Sequence, residues 1–248
     1  MSTLEDLRRE IDGIDDAILD LLARRVDIGH RVAVAKGPDG GPKLRPGREA
    51  QVLRRLAARD DGRLGAATLV RFWREILSAN LAQQTEFSAG VWAPEPDASV
   101  FDLARDHCGS SFPPERKASA KTLISEAGSG AVDIAVLPGL DGEGAWRWWP
   151  WLVDTTEEQN PPRIIARLPF STPGSPEGFV VSTIPSEASG DDISVFALDE
   201  SAGLHEGRVL DTDPSSGRRL VAVGGYCPER ADHVGWHWLG AYASPLAA

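Results

Sequence analysis

Residues 4–35 read LEDLRREIDGIDDAILDLLARRVDIGHRVAVA, with apolar residues at 4, 7, 11, 14, 18, 21, 28, 32 and 35. Steps of three and four put these positions on one face of an α-helix, and only Arg25 interrupts the seam. The spacing predicts one long helix, capped by Ser2 or Thr3 and stopped by Gly37-Pro38 and Gly40-Gly41-Pro42. At 1.5 Å per residue such a helix is about 50 Å long, whereas a compact domain the size of the front half has a radius of gyration of about 12 Å. One copy of the chain cannot cover that seam. A second copy offers a cover of equal length, so a helical homodimer is expected.

Outward from this helix, a second is expected to start at Pro46 and run to about Arg59, with a stripe through Val52, Leu53 and Leu56, before Asp60-Asp61-Gly62. A third is expected from Ala66 to Phe87, its stripe at 69, 72, 73, 76, 77, 80, 81 and 84. After Ser88 the texture changes to short β-like runs at 91–92, 132–137, 164–168, 179–184, 193–198, 220–226 and 234–239, with helices at 99–107 and 118–127. The reading is an all-helical domain over 1–88 and an α/β region over 89–248.

The 248 residues are 42% apolar and 25% charged, which is globular composition and excludes disordered and collagen-like chains. No apolar stretch approaches the roughly 18 residues of a membrane span, and the charged start MSTLEDLRREID does not resemble a signal peptide, so a cytoplasmic protein is expected. Cys108 and Cys227 stand far apart without a CxxC or His-rich context, which indicates neither a disulfide framework nor a zinc site. The net charge of −11 divides unevenly: 15 Lys+Arg against 14 Asp+Glu through Ser88 gives +1, and 11 against 23 beyond it gives −12. That balance argues against nucleic acid and anionic membranes as partners, while leaving an arginine-rich front half able to hold a small anion.

Polar residues occupy inward positions of the stripes. Arg25 lies in the seam of the first helix, Arg8 one turn beyond Leu4, and Lys36 one turn beyond Val32; Glu49 opens the stripe of the second helix, and Asn80 and Gln84 interrupt that of the third. A lone inward arginine is usually a snorkelling or ion-paired residue. The set is different, because one carboxylate cannot neutralise Arg8, Arg25, Lys36 and Arg48 together, and unpaired buried charge is strongly unfavourable. The missing negative charge is expected from a ligand, most simply a small dicarboxylate.

The runs LRREIDGIDDAILDLLARRVDIGHRVAVAK, RPGRE and FWREILSANLAQQ resemble the all-helical (AroQ-type) chorismate mutases over roughly residues 3–87. The resemblance implies an intertwined dimer of three-helix protomers that converts chorismate to prephenate by a Claisen rearrangement, in aromatic amino acid biosynthesis, without metal or cofactor. It further implies that Arg8, from the partner protomer, joins Arg25 and Arg48 in holding the substrate carboxylates. Lys36 and Gln84 would donate to the ether oxygen and Glu49 would accept from the ring hydroxyl. Asn80 stands where many members carry Ser, and Arg45 where some carry Asp. Isochorismate pyruvate-lyase, on a similar scaffold, is an alternative that the Arg48-Glu49 order and Gln84 disfavour. A non-catalytic regulatory partner of a shikimate-pathway enzyme is another, disfavoured by the retained charged residues.

Residues 89–138, with AGVWAPEPDASVFDLARDHCG and GAVDIAVLP, resemble the first lobe of prephenate dehydratase, and DDISVFALDE through LGAYASP resembles an ACT domain. The expected appendage is degenerate: too little chain lies between Pro138 and the next family-like segment to build a second lobe. The dehydratase Thr-Arg-Phe triplet falls on Pro162-Arg163-Ile164 or Glu177-Gly178-Phe179, without a threonine in either register. The tryptophans at 146, 148, 149 and 151 could form a binding platform but fit better as rings plugging surface that a lost lobe would have covered. His107, His205, His233 and His237 lack metal-ligand spacing.

Overall fold

The computed structural model describes residues 2–37, 41–93, 98–140, 147–172 and 176–246. Pro38, Gly40 and Trp146 lie outside the described residues, as does the side chain of Lys36. Helix α1 spans Leu4–Lys36, a run of 33 residues, and Thr3 caps it in a reciprocal box with Asp6. Helix α2 (Pro46–Ala57) opens on a proline, whose missing N–H costs nothing in a first turn. Helix α3 spans Ala66–Ala82, five residues short of the expected end at Phe87. The chain turns away early because Phe87 packs against Phe112, 5.2 Å between ring centroids, in the core of the following region. Gln84 therefore sits in the turn after α3 rather than on the helix.

The α/β region comprises β1 (Ala89–Val91), α4 (Ser99–Cys108), β2 (Glu115–Arg116), α5 (Ala120–Ser129), β3 (Ile134–Pro138), α6 (Trp149–Val153), β4 (Arg163–Leu168), β5 (Gly178–Ser182), β6 (Asp192–Leu198), β7 (Arg208–Thr212), β8 (Arg219–Gly224), a short 3₁₀ turn (Pro228–Asp232) and β9 (Trp236–Ala243). These strands form one nine-stranded sheet in the order β2-β1-β3-β5-β4-β9-β6-β8-β7. Strands β2, β1 and β3 run parallel, as their helical crossovers require. A parallel pairing of Ile164 with Gly240 joins β4 to β9 and makes the α/β region one continuous sheet.

Alternate residues of β3 face opposite sides of the sheet. Ala135 and Leu137 enter a core closed by α5 and α6, and Ile134 and Val136 enter one shared with α4 and Leu81 of α3. Trp148 and Trp149 are completely buried in the first of these cores, which excludes them as a binding platform and also as plugs of an outer surface. Their indole N–H groups donate to the Pro138 carbonyl and to Asp211, both at 2.8 Å.

The helical domain leans on the sheet through α2 and α3. Ala50, Leu53 and Val70 bury themselves with Phe170 and Leu246 of the α/β region. The Arg54 guanidinium donates to Ser189 Oγ at 2.8 Å and to the Ser244 carbonyl at 2.9 Å. Gly47 at the start of α2 has no room for a side chain, since a Cβ there would lie 2.8 Å from the Glu187 carbonyl. Helix α1 stands apart: every residue from Ser2 to Leu21 is exposed, including Leu4 at 65% and Ile11 at 57%. No helix among the described residues is long and apolar enough to cross a membrane.

Candidate active site

A cavity of about 430 Å³ lies where the C-terminal half of α1 meets α2 and α3. Helix α1 contributes Arg25, Ile28 and Val32; α2 and the segment before it contribute Lys43, Arg45, Arg48 and Glu49; α3 and its following turn contribute Leu77, Asn80 and Gln84. The close approach of α1 to α3 depends on Gly29, where an added Cβ would fall 2.1 Å from Asn80 Oδ1. Of the residues singled out from sequence, Arg25, Arg48, Glu49, Asn80 and Gln84 thus surround one space. Lys36 ends α1, and its side chain is outside the described residues. Arg8 is exposed and lies seventeen residues before Arg25 on the same helix, about 26 Å away at 1.5 Å per residue, so it does not join the other five within one copy of the chain.

Among the described residues the cavity lining is net cationic, with Arg25, Lys43, Arg45 and Arg48 against the one carboxylate of Glu49. Burial lowers the half-buried Arg25 guanidinium from its ordinary value, and the nearby Glu49 carboxylate partly offsets this. Arg48 is exposed and reaches Gln51 only at 3.4 Å, which leaves its guanidinium free to turn inward. Arg45 is tied to Glu187 of the α/β region at 2.8 Å. Gln84 Nε2 donates one hydrogen to the Asn80 carbonyl at 3.1 Å, which fixes the amide and leaves its second hydrogen available.

Glu49 is pushed upward by burial, and Arg74 pulls it back. Arg74 Nη1 donates to Glu49 Oε2 at 2.5 Å, and both side chains are largely enclosed. Arg74 was missed by the reading of sequence: it lies beside the apolar stripe of α3, on the face that looks to the sheet, and the only signal for it is the short polar break in FWREIL. Behind it stand His107 and Cys108 at the C-terminus of α4, where Ser78 Oγ donates to the Cys108 carbonyl at 2.5 Å. Burial, with a smaller push from Arg74, holds His107 well below its ordinary range, and burial lifts the Cys108 thiol to about 12. Neither is chemically poised at neutral pH. Among the described residues no group of three or more His, Cys, Asp or Glu could hold a metal ion, and His237 instead meets Asp199 at 3.1 Å.

Comparison with known proteins assigns the class. The family model described as chorismate mutase type II matches residues 7–85. The 4-amino-4-deoxychorismate mutase of Streptomyces venezuelae is 39% identical over 77 residues, 30% of this chain and 74% of that protein. The chain belongs to the type II chorismate mutase family. The bifunctional chorismate mutase/prephenate dehydratase of Stutzerimonas stutzeri is 33% identical over 141 residues, 54% of this chain and 38% of that protein. That alignment outruns the helical domain, so the likeness to the bifunctional proteins extends into the α/β region, although the chain spans under two fifths of their length. A solved prephenate dehydratase from Streptococcus mutans superposes at a TM-score of 0.41 with 13% identity, covering 65% of this chain and all of that one.

Proposed function

We propose that the chain is a chorismate mutase, acting in the cytoplasm in aromatic amino acid biosynthesis, and converting chorismate to prephenate at the cavity between α1, α2 and α3. The observation that carries this is the gathering of Arg25, Arg48, Glu49, Asn80 and Gln84 on the walls of one cavity in a chain of this family.

The reaction breaks the ether C–O bond as a C–C bond forms between the side chain's terminal carbon and the ring, with no proton transferred. It needs a flexible diacid held in its compact conformer and donors placed where negative charge grows. Arg25 and Arg48 hold the two carboxylates, and Arg8 from a second copy of the chain completes the grip. Lys36 and the free hydrogen of Gln84 are the donors to the ether oxygen in this reading. Asn80 fixes Gln84 through its carbonyl, and Glu49 accepts from the ring hydroxyl. The bare seam from Leu4 to Ile18 supports the homodimer that such a shared site requires.

A second reading, favoured by the 39% identity to the Streptomyces enzyme, is rearrangement of the amino analogue, in which an ammonium replaces the ring hydroxyl. The test is to incubate the purified full chain with each compound, follow substrate loss and identify the product. Prephenate from chorismate supports the first reading, and no protein-dependent loss of chorismate overturns it.

A further inference from the structure

The geometry points to Arg74 as the residue that selects a neutral ring hydroxyl over a ring ammonium, by occupying Glu49 from behind. This rests on the function proposed above and concerns a residue that touches the substrate only through Glu49, so it is a positioning and specificity residue rather than a catalytic one.

Glu49 is the carboxylate on the cavity wall, and the ring substituent is placed beside it. An unpaired carboxylate there would attract an ammonium more strongly than a hydroxyl, because the attraction between two opposite full charges adds to the hydrogen bond that either group can make. In this chain that charge is already spent on Arg74 at 2.5 Å. With Glu49 ionised the pair is neutral, and with Glu49 protonated the pair carries one positive charge. In neither state does the wall offer a net negative charge. Arg25, on the same wall, adds a positive field. A hydroxyl still finds an acceptor in the remaining lone pairs of Glu49, whereas an ammonium is repelled by Arg25 on the wall and by Arg74 behind Glu49.

Arg74 cannot swing aside to release the carboxylate. It is 8% exposed and packed against His107 and Cys108 at the C-terminal end of α4. The negative pole of that ten-residue helix favours a cation at this point. Thus the α/β region, through α4, holds in place a group that determines what the helical cavity accepts.

The test compares kcat/KM for chorismate and for 4-amino-4-deoxychorismate in the full chain, with Arg74→Gln and Arg74→Lys variants. The wild type is expected to favour the hydroxyl compound at least tenfold. Arg74→Gln should move the ratio at least tenfold toward the amino compound, and Arg74→Lys, which restores the charge, should keep it near the wild-type value. A purely structural role would lower both rates together and leave the ratio unchanged, and that result overturns the proposal. If Arg74→Gln does not fold, Glu49→Gln supplies the complementary measurement: with Arg74 left unpaired, the ratio should move further toward the hydroxyl compound, and a shift toward the amino compound overturns the assignment. A wild type that prefers the amino compound would sink the role of Arg74 alone, whereas turnover of neither compound would sink the proposed function itself.

Discussion

Replacing Arg54 with methionine keeps an unbranched side chain at the position but removes the guanidinium, which lies over the Phe170 ring at 5.7 Å and ties α2 to the α/β region. Two part-buried carbonyls, Ser189 O and Ser244 O, then lose a charged donor. The Asp191 carbonyl also loses one, but it is exposed and keeps bonds from Ser189 Oγ and Ser244 N. Leaving a buried acceptor without its donor costs about 1 to 3 kcal/mol. Discounting for partial exposure, the pair amounts to about 3 kcal/mol, which for a chain of this size is a fall in Tm of about 6 to 12 °C. Seven of the eight tryptophans lie beyond Ser88, so their fluorescence follows the α/β region while far-ultraviolet circular dichroism is dominated by the long helices. In the wild type the two signals should melt together, and in Arg54→Met they should separate. A loss under about 1 kcal/mol with coincident transitions would refute the coupling argued here.

Lys36→Ala should lower kcat by on the order of 10² to 10³ with dimerisation intact, since the ether oxygen gains charge only in the transition state, and Arg25→Ala should raise KM as well. Arg8→Ala and Arg25→Ala should each be nearly inactive, yet subunit exchange on mixing should restore about a quarter of wild-type activity, because half the dimers are mixed and each mixed dimer carries one intact site; no recovery would place Arg8 outside the partner's site. Gly29→Ala should weaken activity and stability together by driving Asn80 away, as measured by kcat/KM and Tm. His107, whose folded value lies below the ordinary 6.5, binds its proton in the unfolded chain before it does so in the folded one. Its contribution to stability is therefore complete above that value and falls as pH drops below it, by up to about 1.4 kcal/mol per pH unit, and His107→Phe should remove that part of the slope in urea titrations.

The heptad spacing of residues 4–35 made α1 legible almost to the residue, because a seam that repeats over nine positions has only one helical reading. Arg25, Glu49, Asn80 and Gln84 were legible for the converse reason: each is a polar residue where periodicity calls for an apolar one. Arg74 was not, since it interrupts no stripe; the face it occupies is buried because the C-terminal end of α4, more than thirty residues of chain away, packs there, and no local pattern encodes that. The same cause cut α3 short at Ala82, where tertiary packing of Phe87 overrode helical spacing. Strands β2 and β7 escaped notice as edge strands with few buried side chains, and α6 because its tryptophans looked like a surface feature until the sheet closed over them.

The exposed seam of α1 also bears on how the chain is made. The 212 residues that follow Lys36 take about 10 to 40 seconds to synthesise at roughly 5 to 20 residues per second, and among the described residues none covers Leu4, Ile11 or Ile18. The apolar face therefore stays bare while the described residues that follow it are made. Neighbouring ribosomes on one message hold two such faces at a local concentration far above that of released chains. For the homodimer proposed above, pairing of α1 with α1 during synthesis is then the fast route to a covered seam, and expression from sparsely loaded messages is the condition under which such a chain is most exposed to aggregation.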